Sequence, residues 1–185
     1  LARELGNTRS AAALELWRTD REVVCLASLA EEHRWVELHV VSGVDTHDTG
    51  SRPAVQTFRS LAQSWRQIRN LRVLELVETG EDEGALFYVT EFVDGETLDA
   101  YLARCAPVPA WWAIELARQL TLALLALRGR PDLLARTQVF NARLTLEGDE
   151  TEHALVRLAE FGLGCPNDPP PDESLSEEAR AVQEV

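Results

Sequence analysis

The side chains that most often carry chemistry are thinly spread in this chain. Its three cysteines, Cys25, Cys105 and Cys165, are far apart and odd in number. They make neither the close pairs of a zinc site nor an even disulfide framework, and read as reduced thiols in a cytoplasmic setting. His33, His47 and His153 have no cysteine or acidic partner at metal-binding spacing, and no role is assigned to them. There is no Gly-x-Ser-x-Gly, no Cys–His arrangement and no cluster of metal ligands. All 18 basic residues are arginine. A GC-rich genome explains this most simply; selection against lysine modification is the other reading. In either case chemistry that needs a lysine ammonium is excluded, because a guanidinium is not a compact point charge.

Composition narrows the class further. The 185 residues allow one domain, or two small lobes around a real core. At 45% hydrophobic and 26% charged, the chain has a globular profile. A net charge of −13 argues against nucleic acid and against anionic lipid as partners. The longest apolar region, 110–127, is interrupted by Glu115, Arg118 and Gln119, so no membrane span is expected, and no signal peptide is visible. The chain starts at Leu1 and contains no methionine, as a fragment or a trimmed chain would.

The elements follow from periodicity and punctuation. Residues 1–12 read as a lead-in segment. Strand-like runs follow at 13–17 (ALELW), 23–29 (VVCLASL) and 35–41 (WVELHVV), rich in β-branched and aromatic residues. A loop with Gly and Pro covers 43–53. Residues 54–68 predict a helix with Val55, Phe58, Leu61, Ala62 and Trp65 on one face. Two further strands, LRVLELVET and ALFYVTEFV, are joined by GEDEG. After Gly95 come a short helix at 96–106 and a longer one at 109–129. The latter begins at Pro, ends at Gly and is apolar on nearly every side, which predicts deep burial. Short strands at TQVFNARLTLEG and ALVRLAEFG lead to a Pro-rich acidic linker and a terminal helix, with Ser174 and Glu177 at capping-box spacing.

Two stretches then carry a resemblance. FYVTEFVDGETLDAYL (87–102) resembles strand five, the hinge and the first C-lobe helix of a protein kinase. VFNARLTLEG with VRLAEFGLG resembles the end of its catalytic loop and its metal-binding turn. Over 13–164 the chain is similar to the eukaryotic-like kinases of bacteria. The resemblance implies an α+β, protein kinase-like fold: a five-stranded antiparallel N-lobe with one helix (13–94), an abbreviated helical C-lobe (95–164), and a linker with a terminal helix (165–185). It places Thr90 at the gatekeeper and Glu91, Phe92 and Val93 at the hinge.

Carried over residue by residue, the resemblance also exposes losses. The three glycine positions of the phosphate loop fall on Trp17, Thr19 and Glu22, and Asp20 joins Glu22 in repelling phosphate. Trp17 reads as filler for a cleft that no longer takes nucleotide. The strand-three lysine position is His39, and the helix that should supply its Glu partner has no acid, with Leu61 near the expected place. The catalytic base position is Arg136, preceded by Leu134 and Ala135, and the loop lysine position is Gln138. An arginine cannot accept a substrate proton. Asn141 matches the metal-binding Asn. Glu160 stands for Asp in the metal turn, with Phe161 and Gly162 intact.

What this implies is a degenerate kinase domain, a pseudokinase, with no cofactor, acting through a protein partner or another domain of its own polypeptide. The family's larger C-lobe helices have no counterpart in the sequence, so the leucine face of the 109–129 helix, Leu116, Leu120, Leu124 and Leu127, is the expected contact surface. The alternative is an atypical nucleotide binder or ATP sensor that uses Glu160 and Asn141 for metal.

Overall fold

This computed structural model describes residues 14–29, 34–146 and 154–166. The lead-in segment, His33, His153, the Pro-rich linker beyond residue 166 and the terminal helix lie outside the described residues.

Five strands form one antiparallel sheet: β1 (Leu14–Arg18), β2 (Glu22–Leu29), β3 (Arg34–Val41), β4 (Leu76–Asp82) and β5 (Ala85–Glu91), in the order β1-β2-β3-β5-β4. Helix α1 (Arg52–Arg66) crosses between β3 and β4. Pro53 opens it, where the missing N–H costs no hydrogen bond. It buries Ala54, Val55, Phe58, Leu61, Ala62 and Trp65, a face that includes the one expected from periodicity. The β4–β5 hairpin closes on Glu83 and Gly84, both at positive φ, the two-residue turn that matches strand twist.

The second part holds β6 (Glu96–Thr97), α2 (Leu98–Cys105), α3 (Ala110–Leu125), the single-turn α4 (Pro131–Leu134), β7 (Arg143–Leu146) and β8 (Ala154–Arg157). Strands β6, β7 and β8 make a small antiparallel sheet. Thr97 caps α2 by accepting from the Ala100 N–H at 3.2 Å.

Three expectations need correction. The run 71–79 is not a strand throughout. Asn70 folds its start into a turn by accepting from the Arg72 N–H at 2.9 Å, and Val73 instead makes a parallel bridge to Leu158 after β8. Helix α3 is not buried all round: it sinks Trp112, Leu116, Gln119 and Ala123 while Trp111 and Ile114 are 58% and 70% exposed. The leucine face also finds its cover within the described residues. Leu116 and Leu127 are buried in the chain's own core, with Leu120 and Leu124 packed against it. The exposed side carries Trp111, Ile114 and Leu125 instead.

That core runs through both parts without a break. It joins Phe58, Trp65 and Tyr88 of the first to Trp112, Leu144 and Phe161 of the second. A smaller cluster of Ala27, Val36, Leu38, Phe87 and Val89 lies on the other face of the large sheet.

Candidate functional site

Strand alternation puts Glu37, His39 and Val41 on one face of β3 and Val36, Leu38 and Val40 on the other. On the first face His39 stands opposite Val24 of β2 and Tyr88 of β5, while Glu37 stands opposite Leu26 and Thr90. Glu22, the first residue of β2, shares that face and sits opposite Val41. Three ionisable residues are thereby drawn inside the cleft between the large and small sheets: Glu22, Glu37 and His39 are 8%, 3% and 4% exposed.

Each has partners, as burial requires. The Tyr88 hydroxyl donates to Glu22 Oε2 at 2.9 Å, and its ring stacks on His39 with centroids 4.3 Å apart. Burial, reinforced by the Glu22 charge, pushes the Tyr88 phenol well above its ordinary range, so it remains a donor. His39 Nδ1 lies 3.5 Å from Glu22 Oε2, and Nε2 lies 3.6 Å from Glu37 Oε2 and 3.5 Å from Thr90 Oγ1. These are ion-pair distances, longer than a well-aligned charge-assisted hydrogen bond. Nδ1 has a charge opposite it but no aligned acceptor. Burial works against the imidazolium, yet the two carboxylates outweigh it and raise His39 above its usual value. Glu37 is lowered against the pull of burial by His39 and Arg143. Arg143, on β7, donates Nη2 to both oxygens of Glu37 at 3.1 Å, so this ion pair spans the two sheets.

The roof of the site is the β1–β2 turn, which contains no glycine. Thr19 holds it instead: its hydroxyl accepts from the N–H groups of Arg21 at 3.1 Å and Glu22 at 3.0 Å. Asp20 is exposed beside it. Trp17 is half-buried on edge strand β1, opposite Val24. The filling at the centre comes from Glu22 and His39. Gly164 shows how closely the floor approaches: a Cβ there would lie 2.6 Å from Glu22 Oε2.

The structure brings Asn141 and Glu160 together on that floor. Asn141, at the end of the 3-10 turn Val139–Asn141, donates Nδ2 to Glu160 Oε2 at 2.6 Å and to Gln138 Oε1 at 2.9 Å. Burial raises the Glu160 carboxyl above its usual range, Asn141 opposes that, and the Glu22 charge adds to it. Two oxygen-bearing side chains make a thin donor set for a divalent cation. Among the described residues no group of three or more His, Cys, Asp or Glu side chains is arranged to hold a metal. Arg136 lies over the turn after β8. A Cβ on Gly162, which has φ +74°, would meet Arg136 Cδ at 3.1 Å, and Arg136 Nη1 donates to the Cys165 carbonyl at 3.5 Å. A guanidinium occupies the ground where the resemblance puts a proton acceptor.

Residues 91–93, which the resemblance puts at the hinge, are tied at several points. The Glu91 carboxylate accepts from Arg157 of β8 and from the Glu75 N–H at 2.8 Å. The Phe92 N–H reaches the Trp35 carbonyl at 3.3 Å. Val93 is buried in the core, and Thr90 faces His39.

Glu37, Tyr88, Arg143 and Arg157 are not singled out by the sequence reading. The available signal is Glu37 itself: an acid in the middle of an apolar strand demands a buried partner.

No family model matches the sequence, and no curated protein does. Solved structures do. A double mutant of the Mycobacterium tuberculosis PknI kinase domain superposes with a TM-score of 0.68 at 22% identity, over 95% of this chain and 68% of that one. Another structure of the PknI kinase domain gives 0.63 at 24% identity, over 86% and 64%. Rad53 in complex with AMP-PNP gives 0.66 at 16% identity, over 84% of this chain and 39% of that one. At these identities the likeness speaks for architecture, and together with the strand order it leads to one conclusion: this chain has the protein-kinase fold.

Proposed function

We propose that the domain is a pseudokinase, a kinase-shaped module that works by binding a protein partner or a neighbouring domain and transfers no phosphate. The observation that carries this reading is the self-filled cleft. Between the two sheets the chain places its own Glu22, His39 and Glu37, with Glu37 tied to Arg143. Phosphoryl transfer depends on positioning and on stabilising charge. In support, the resemblance puts Glu22 and Asp20 at the phosphates and Arg136 at the base position, and the sequence has no lysine. A cytoplasmic setting is part of the proposal and draws on the three free cysteines. No helix among the described residues is long and apolar enough to cross a membrane.

The test is a thermal shift with ATP and Mg²⁺, paired with a labelled-ATP transfer assay. A ligand at 100 times its Kd stabilises a protein by about 2.7 kcal/mol, roughly 5–10 °C at this chain length. The expected result is no shift and no transfer above buffer. Transfer that is lost in Glu160→Gln would overturn the proposal. The second reading, an unconventional ATP sensor, draws on the Asn141–Glu160 contact at 2.6 Å. It requires a shift that depends on Mg²⁺ and disappears in the same variant.

A further inference from the structure

We propose that His39 is a proton-operated latch that holds the β1–β2 hairpin down over the cleft. The proposal rests on reading the cleft as closed by its own side chains, and adds what controls the closure.

Glu22 is where the hairpin enters β2, and it is held inside by groups from other strands: the Tyr88 hydroxyl at 2.9 Å and His39 Nδ1 at 3.5 Å. Glu37 approaches the opposite ring nitrogen. One imidazole ring thus stands between two carboxylates, one from the hairpin and one tied by Arg143 to the small sheet. The groups that face the ring come from every element packed against it. β2 brings Glu22, β5 brings Tyr88 and Thr90, and the turn after β8 brings Glu160, whose charge also senses His39. Helix α1 contributes the apolar Phe58 and Trp65 around Tyr88. Arg143 is a fixed positive charge bound into the cluster, ion-paired with Glu37.

Removing the proton from His39 therefore makes the cluster one unit more negative. Two buried carboxylates would then face each other and Glu160, with Arg143 committed to Glu37. The member free to leave is Glu22, because the hairpin behind it is short and exposed. The two carboxylates hold the His39 proton above the ordinary value. A histidine raised in this way contributes stability that is complete below its unfolded value, about 6.5, and is lost as pH rises through the folded value. The latch is shut below about 6.5 and opens as pH rises through the folded value, which the two carboxylates set above that.

The experiment has two readouts on the intact chain. The first is NMR titration of the imidazoles, with His39 assigned by its loss in His39→Gln. The second is hydrogen exchange of residues 19–25 at pH 6 and pH 9, normalised to the unfolded-chain rate at each pH. The expected results are a His39 midpoint above 6.5 that falls by about one unit or more in Glu22→Gln, and hairpin protection that drops about tenfold at pH 9 in the wild type. A midpoint at or below 6.5, or protection equal at both pH values, overturns the latch. The exchange readout uses wild-type protein alone, so a poorly folded variant does not leave the question open. Nucleotide binding is measured separately: an ATP titration without binding beside a flat exchange profile sinks the latch alone, whereas tight ATP binding at neutral pH sinks the closed-cleft reading.

Discussion

Arg143 and Glu37 give the cleft its most sharply testable pair. Glu37 is almost fully buried, and Arg143 reaches both of its oxygens at 3.1 Å. Arg143→Met leaves a carboxylate without its permanent cation, a change expected to cost about 3–5 kcal/mol. Replacing both, Glu37→Met with Arg143→Met, should cost less than Arg143→Met alone, because the uncompensated charge goes too. Urea unfolding of the four proteins in the cycle measures this, and costs that simply add would show the pair to be uncoupled. Glu160 offers a contrast. Burial raises its carboxyl, so the folded state holds its proton more tightly than the unfolded state. Its charge therefore works against folding above the folded value, and the penalty fades as pH falls through it. Glu160→Gln should be at least as stable as wild type at pH 7, and the two should converge toward acid; a variant clearly weaker at pH 7 would contradict the assignment. Much of this site is legible in sequence, with Glu22, His39, Arg136 and Glu160 named as replaced positions and Asn141 as a matched one. Their partnerships are not, because the bonds join residues far apart in the chain, and only folding puts Tyr88 and Arg143 beside them.

Elements whose periodicity is strong are legible in the sequence. Helix α1 keeps the apolar face expected of it although it has no acid to offer the cleft. Its anchor is Trp65, which donates Nε1 to the Leu74 carbonyl at 2.7 Å and meets Phe161 edge-on at 4.6 Å. Trp65→Ala should cost about 3–5 kcal/mol; a loss below about 1 kcal/mol in denaturant unfolding would mean that the helix is held elsewhere. Elements decided by distant pairing are less legible. The stretch 71–75 is apolar enough for a strand, but Leu158 intervenes: its N–H donates to the Arg72 carbonyl at 2.8 Å, and its carbonyl accepts from the Leu74 N–H at 2.9 Å. In α3 the overall apolarity conceals a division between faces. Gln119 reads as a polar interruption, yet it is buried, accepting from Arg72 at 2.9 Å and from the Val156 N–H at 3.0 Å. Ile114 is apolar and lies in solvent.

At the scale of the whole molecule the two sheets cannot be treated as separate units. One apolar cluster runs from Val41 to Leu163, and ion pairs at Glu37–Arg143 and Glu91–Arg157 cross between the sheets. Unfolding is expected to be a single transition, with far-UV circular dichroism and tryptophan fluorescence tracing the same curve. Two separated midpoints would show that each lobe stands alone. The Trp65–Phe161 contact has a consequence for the order in which the protein is made. Its two rings are widely separated along the chain, and the later one is among the last described residues to leave the ribosome. Until it emerges, Trp65 lacks its edge-on partner, although all five strands of the large sheet, the last ending at Glu91, have already been made. In a cell, that interval is when a chaperone would meet this protein.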